Sequence, residues 1–144
     1  MSEPAIDRER IALGIRQPWA ELILQGIKTV EVRSTGTLQR GTIYVYASKK
    51  LAENSFAEEA IRQHGLEIDS LPRGVLVGTV DLIGCQPANE DDETAACVPA
   101  EYLDGRFAWR LQNPVRLEKP LTPRFLPYGV WFYPFRRRNA ESEP

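Results

Sequence analysis

Hydrophobic residues alternate with polar ones near the start of the chain and then change to the spacing of a helix. In the run RIALGIR, Ile11, Leu13 and Ile15 recur at period two, which predicts a first β-strand. The pair Gln17-Pro18 interrupts this alternation, and proline is well placed in the first turn of a helix. The helix predicted after it has an apolar stripe made of Trp19, Ala20, Ile23, Leu24 and Ile27.

A strand with an unusual charge content follows this helix. Gly26 predicts a left-handed helix cap, and in KTVEVRS the residues Val30 and Val32 alternate with Glu31 and Arg33. Residues two positions apart on a strand project to the same face, so the valines are expected in the core and the charged pair on the other side. A solvent-facing salt bridge worth about 0–1 kcal/mol is the plain structural interpretation, and a functional cleft is the alternative.

Further strands are predicted in GTIYVYAS, GVLVGTVDLIGC, RFAWRLQNPVRLEKP and VWFYPF, which are rich in β-branched and aromatic residues. Residues 52–64 predict an amphipathic helix, and Gly78 inside a strand predicts a bulge or a close backbone contact. Regular crossover helices do not separate the strands, which argues against a doubly wound parallel sheet. We therefore expect an α+β fold: a small, mostly antiparallel β-barrel of about six strands with two or more covering helices.

Length and composition are those of one soluble domain of 144 residues. We expect a flexible N-terminus over residues 1–9, a single domain over residues 10–135 and a disordered basic tail over residues 136–144. No apolar run suits a membrane span and no secretory signal is evident, so we expect a cytoplasmic protein whose two cysteines are reduced. With a single histidine and no ligand cluster, no metal and no cofactor are expected.

Charge is unevenly distributed along the chain, although the net charge is only −2. Residues 1–50 carry an excess of 3 basic side chains, residues 51–105 an excess of 10 acidic ones, and residues 106–144 an excess of 5 basic ones. If the two terminal segments lie side by side in the fold, they form one basic face opposite an acidic middle. A solvated surface without a binding role is the other interpretation.

The segments RQPWAELILQGIKTVEVRS, RGTIYVYASKK and GVLVGTVDLIGC together resemble the ASCH domain, named after the activating signal cointegrator homology region. The segments FAWRLQNPVRLEKP and GVWFY resemble the closing strands of that family, so the resemblance covers roughly residues 11–134. It implies a PUA-like β-barrel with a cleft lined by Lys28, Glu31 and Arg33. It also implies an association with RNA or DNA.

A ligand cleft for RNA, another single-stranded nucleic acid or a nucleotide is the leading hypothesis. In it Lys28 and Arg33 contact phosphate, while Glu31 orients them or accepts a hydrogen bond from a base amino group. The candidate ligand-binding residues are Gln17, Lys28, Glu31, Arg33, Ser48 and Lys49. A protein-interaction adaptor is a third hypothesis, and it requires a contiguous apolar surface patch.

A small metal-independent amidohydrolase is the runner-up, because some small members of the family act on N4-acylated cytidine. They resemble this chain at Lys28 but carry threonine where it has Glu31. They also use a glutamate after the fourth strand, for which Glu90, Glu93 and Glu101 are all candidates. Hydrolysis of a modified nucleoside would then rest on Lys28 and Glu31 as an acid–base pair.

Aromatic residues and the basic tail add weaker candidates. Trp19 and Trp109 are expected in the core, since indoles bury a large apolar area. Tyr44 and Tyr46 share one face of a strand, and would stack bases if that face were exposed. The run Arg136–Arg138 is expected to make sequence-independent phosphate contacts or to serve solubility alone.

Overall fold

A computed structural model describes residues 6–136 of the chain. Residues 1–5 of the predicted flexible N-terminus and residues 137–144 of the predicted basic tail lie outside the described residues. The strands are β1 (Ala12–Ile15), β2 (Val30–Arg33), β3 (Gly41–Ala47), β4 (Val75–Pro87), β5 (Phe107–Leu121) and β6 (Trp131–Phe132). The α-helices are α1 (Trp19–Leu24), α2 (Ser55–Gln63), α3 (Glu93–Ala96) and α4 (Ala100–Leu103). Short 3-10 turns lie at Ile68–Ser70 and Glu90–Asp92.

The six strands form one sheet in the order β2-β5-β4-β3-β1-β6, which curves into a half-barrel. The α+β class and the mostly antiparallel pairing are confirmed, but β1 and β3 run parallel, so the sheet is mixed. The connection between β1 and β3 contains α1 and β2 and is long enough to return the chain to the same end of the sheet. The expected small β-barrel takes the form of a half-barrel, in which β2 and β6 are separate edges of the sheet.

Both faces of the sheet carry apolar clusters, and β3 shows why. Ile43 and Val45 belong to the main core, whereas Tyr44 and Tyr46 pack with Phe132 on the opposite face. The shared face predicted for the two tyrosines is therefore confirmed. They are only 2% and 3% exposed, so they do not form an open base-stacking pair.

Helix α1 rests on the sheet at Gly78, where there is no room for a side chain. A Cβ atom at this position would lie 2.4 Å from the carbonyl oxygen of Val115 and 2.5 Å from Cδ2 of Leu24. The predicted close backbone contact is thus confirmed. The carboxylate of Glu21 also accepts two hydrogen bonds from Arg116, at 3.0 and 2.8 Å, which ties α1 to β5.

A tight turn connects α1 to β2 and leaves Ile27 partly exposed and Lys28 buried. Gly26 ends the helix with φ of +79°, as predicted. The N–H groups of Ile27 and Lys28 then both donate to the carbonyl of Leu22, at 3.0 and 3.1 Å. Ile27 is 37% exposed, because the chain has left the helical path and its place on the stripe is lost.

The acidic run of residues 90–93 lies beside the start of β2, and one of its four carboxylates is buried. The N–H of Thr29 donates to the carbonyl of Ala95 at 2.9 Å, which brings α3 against the start of β2. Asp92 is 5% exposed and forms an ion pair with Arg110 at 3.0 Å, so this residue is not part of a solvated loop. No helix among residues 6–136 has the length and hydrophobicity of a membrane span.

Candidate functional site

A cleft of about 810 Å³ opens beside the ends of β1 and β3, with β2 in its floor. The start of α2 and the loop over residues 126–130 complete its walls. Five of the six predicted ligand-binding residues line it: Lys28, Glu31, Arg33, Ser48 and Lys49. The structure therefore brings together most of the side chains that the sequence singled out.

Lys28 lies at the bottom of the cleft and is held by several contacts. Its side chain is 3% exposed, and Nζ donates a hydrogen bond to the carbonyl of Ala96 at 2.5 Å. The same nitrogen lies 3.9 Å from Oε1 of Glu31 and 4.8 Å from the ring centre of Trp19. Burial lowers the pKa of this amine, and the Arg33 cation lowers it further, whereas the carboxylate of Glu31 raises it.

The buried Glu31 forms an ion pair with the partly exposed Arg33, which also hydrogen-bonds to β1. Oε2 of Glu31 accepts a hydrogen bond from Nε of Arg33 at 2.8 Å, and Nη2 of Arg33 lies 2.7 Å from the same oxygen in an ion pair. Glu31 is 6% exposed. Nη2 of Arg33 also donates to the carbonyl of Gly14 at 2.9 Å. Because Gly14 belongs to β1, one guanidinium connects β2 to β1 while it neutralises the carboxylate.

The rim of the cleft forms where the two parallel strands end. Ile15 of β1 is opposite Ala47 of β3, and the N–H of Ser48 donates to the carbonyl of Ile15 at 3.0 Å. Arg16 and Lys49 therefore leave the sheet at the same edge, and both line the cleft. The sequence analysis missed Arg16, whose signal lay in this parallel pairing and not in any local pattern.

Gln17 is the one predicted ligand residue that does not line the cleft. Its side chain is fully buried at 0% exposure. The amide nitrogen donates to the carbonyl of Pro72 at 3.0 Å, and the amide oxygen accepts from the N–H of Glu21 at 2.9 Å. Gln17 thus connects the start of α1 to the loop that precedes β4.

None of the three glutamates weighed for hydrolysis is among the residues that line the cleft. Glu90 and Glu101 are exposed, and Oε2 of Glu93 accepts from the N–H of Ala100 at 2.9 Å. The second carboxylate of the cleft belongs instead to Glu53, just before α2. No sequence pattern marked Glu53, because only the fold brings this turn to the cleft.

Aromatic rings contribute to both the core and the cleft walls. Trp109 is 3% exposed and stacks on Trp131 with ring centres 5.8 Å apart, so its core assignment is confirmed. Trp19 packs against the core but also lines the cleft. Phe56 and Tyr102 meet edge to face at 5.0 Å on another wall. The cleft therefore offers apolar ring surface beside its charges.

Thiols and carboxylates are scattered in the part of the chain that the structure covers. Among residues 6–136, no group of three or more His, Cys, Asp or Glu side chains is arranged to hold a metal ion. Cys85 and Cys97 are both free and partly buried. Burial raises the pKa of the Cys97 thiol, and the nearby Lys28 opposes this shift.

Most of the chain matches a known family of domains. The ASCH domain family matches residues 13–121. This chain belongs to the ASCH domain family. Its ASCH domain is similar to activating signal cointegrator 1 of Homo sapiens and of Mus musculus, each 33% identical over 109 residues. That alignment covers 71% of this chain and only 19% of each relative.

Solved structures agree with the half-barrel architecture. The ASCH domain matches the crystal structure of ASCH from Zymomonas mobilis with a TM-score of 0.60 and 16% sequence identity. The match covers 94% of this chain and 93% of that one. A mutant of the same protein matches with a TM-score of 0.59. At this identity the likeness concerns the PUA-like fold and not the ligand.

Proposed function

We propose that this ASCH domain binds single-stranded RNA, or a nucleotide of it, in the cleft. The charge of the cleft carries the proposal. Five basic side chains face two acidic ones there, an excess of three positive charges in a chain whose net charge is −2. A concave site with an excess of positive charge concentrates negatively charged ligands, and nucleic-acid phosphates are such ligands. The association of ASCH domains with RNA or DNA supports the same reading.

The floor of the cleft suits the edge of an unpaired base. Nζ of Lys28 has three donor hydrogens and uses one on the carbonyl of Ala96, while Oε1 of Glu31, 3.9 Å away, remains an acceptor. A donor beside an acceptor complements a base edge that carries an amino group next to a ring nitrogen or carbonyl. Single strands expose such edges, and the ring of Trp19 offers a stacking surface.

Fluorescence anisotropy with a short labelled single-stranded RNA, at low and at high salt, tests this function. We expect binding at low salt that Lys28→Met and Glu31→Gln each weaken roughly tenfold, the size of one charge-assisted hydrogen bond. Lys119→Met is the matched control, because Lys119 is exposed on β5 and does not line the cleft.

The proposal fails if wild-type protein does not bind RNA at low salt. It also fails if Lys28→Met and Glu31→Gln bind as tightly as the wild type. The same samples should be incubated with N4-acetylcytidine and analysed by chromatography. Turnover that disappears in Lys28→Met would replace RNA binding by the amidohydrolase hypothesis.

A further inference from the structure

We propose that the ligand phosphate is held at the rim of the cleft by Arg16, Lys49 and Lys50, and not by Lys28 and Arg33 at its floor. The ligand class is a nucleotide phosphate, either a terminal monoester or a diester within a strand. This inference rests on the proposed function, because it places one group of the same ligand. It divides the cleft into a phosphate site at the rim and a base site at the floor.

The parallel pairing of β1 and β3 assembles the rim. Ile15 and Ala47 are partners at the last register position of the two strands, so the following residues emerge together. Arg16 follows β1 directly, and Lys49 follows Ser48 at the end of β3. Two antiparallel neighbours would have sent these residues to opposite ends of the sheet. The cations are therefore clustered by topology, although more than thirty positions separate them in sequence.

The rim cations are available to a ligand. In the part of the chain that the structure describes, the side chains of Arg16, Lys49 and Lys50 form no ion pair with a carboxylate. All three residues are exposed and line the cleft. Arg110 and Arg116, in contrast, are paired with Asp92 and Glu21. Exposed cations without a carboxylate partner bind phosphate without first losing another contact.

The floor cations are poorly placed for phosphate. Lys28 is 3% exposed, and an anion on its Nζ would approach the carboxylate of Glu31, 3.9 Å from that nitrogen. Two like charges at such a distance repel each other strongly where water is scarce. Arg33 already makes hydrogen bonds to Glu31 and Gly14. The other acidic residue of the lining is Glu53, which is exposed.

The remaining wall favours the same orientation of the ligand. Leu126 and Val130 are 69% and 52% exposed and line the cleft with apolar surface. Apolar surface attracts a base or a ribose and repels a phosphate that would lose its water. With phosphate at Arg16 and Lys49, the base is left to the apolar wall and to the donor and acceptor of the floor.

Titrations with cytidine 5′-monophosphate, cytidine and inorganic phosphate, followed by amide NMR shifts, test the assignment beside the RNA measurement. We expect the monophosphate to bind at least tenfold more tightly than cytidine, with the largest shifts at residues 16 and 48–50. Arg16→Ala and Lys49→Ala should each weaken RNA and monophosphate binding about tenfold. Each should also make the slope of log K against log salt concentration for RNA binding shallower by about 0.7. Lys119→Ala is the control and should change neither.

Two results separate this assignment from the proposed function. If the triple variant Arg16→Ala, Lys49→Ala, Lys50→Ala binds RNA like the wild type while Lys28→Met does not, the rim assignment is overturned and RNA binding stands. The rim assignment is also overturned if cytidine binds as tightly as cytidine 5′-monophosphate. If wild-type protein binds neither RNA nor the monophosphate, the function itself fails, and the rim assignment with it.

Discussion

The guanidinium of Arg33 makes its contacts within the half-barrel, to Glu31 and to the carbonyl of Gly14. It crosses from β2 to the carbonyl of Gly14 in β1, and it neutralises Glu31 through two nitrogens at 2.7–2.8 Å. Glu31 is 6% exposed, so its charge depends on this partner and on Lys28, which lies farther away at 3.9 Å. The alternation of KTVEVRS predicted that Glu31 and Arg33 share a side, but the cross-link to β1 is a property of the folded sheet.

Arg33→Ala should lower the free energy of unfolding by about 2–3 kcal/mol, because it leaves a buried carboxylate without its main partner. Arg33→Lys should recover only part of this loss, since an ammonium cannot reproduce the forked contact. Urea denaturation followed by fluorescence of the tryptophans measures both. The double variant Glu31→Gln, Arg33→Ala is the control, because it removes the stranded charge. A double variant as unstable as the sum of the singles would contradict this explanation.

The buried amine of Lys28 makes stability depend on pH. Burial lowers its pKa in the folded protein below the ordinary 10.5, so between these two values the unfolded chain binds a proton that the folded chain does not. The free energy of unfolding attributable to Lys28 therefore rises as pH rises through this interval. We expect the rise in wild-type protein and its absence in Lys28→Met.

Denaturation midpoints across alkaline pH measure this effect. Cys97 titrates in the same range with the opposite sign, because burial raises its pKa above 9.0. Both proteins should therefore carry Cys97→Ala, so that only Lys28 differs between them. Identical pH profiles for the two would show that Lys28 keeps its ordinary pKa in the folded state.

At the scale of elements, α1 and β4 fix the position of the floor. Helix α1 lies close to the sheet because Gly78 leaves space for Leu24 and for the carbonyl of Val115. The end of α1 at Gly26 then sets where Lys28 enters the cleft. Small changes at this contact are therefore expected to move a functional side chain as well as to cost stability.

Gly78→Ala should destabilise the domain by about 2–3 kcal/mol, because the new methyl group would lie 2.4 Å from a backbone oxygen and either the strand or the helix must shift. Gly84→Ala on the same strand is the control. There the nearest heavy atom to an added Cβ is Cβ of Arg110 at 4.0 Å, so little change is expected. Thermal unfolding of the two variants measures the difference. Equal losses of stability in both would show that the change in strand propensity, and not crowding at Gly78, is responsible.

At the scale of the whole molecule, strand pairing and ion pairs decide which of the charged side chains lie together. The terminal segments do lie side by side, since β2 pairs with β5 and β1 pairs with β6. Two arginines of the last segment are paired with carboxylates, Arg110 with Asp92 and Arg116 with Glu21. All five basic residues of the cleft come from residues 1–50, so the last segment adds no cation to the cleft.

A narrow basic site predicts a shallow dependence of RNA binding on salt. Three phosphate contacts correspond to a slope of log K against log salt concentration of about −2 for a single strand. Anisotropy titrations over a range of KCl concentrations measure this slope. A chain that ends after Arg136 is the control for the run Arg136–Arg138. A slope steeper than about −5, lost on truncation, would show that the tail and a wider surface bind RNA.

The sequence predicted the main strands and helices and most of the side chains that line the cleft. It did not predict the positions that depend on contacts between distant segments. Lys28, Ser48 and Lys49 line the cleft, and each stands beside a strand end or helix cap with a clear local signal. Gln17 had the same kind of signal but is enclosed by Pro72 and the start of α1. Arg16 had no signal of its own and gained its place from the partner strand.

The sequence by itself determined the main strands and helices and which side chains of a strand share a face. Period-two alternation separated Val30 from Glu31, and the left-handed Gly26 ended α1, because both depend on backbone geometry over a few residues. Only the tertiary structure decided that β1 and β3 run parallel, that the barrel is half open and that Arg33 hydrogen-bonds to β1. Strand direction depends on burial and pairing between residues far apart in the chain, which no local pattern encodes.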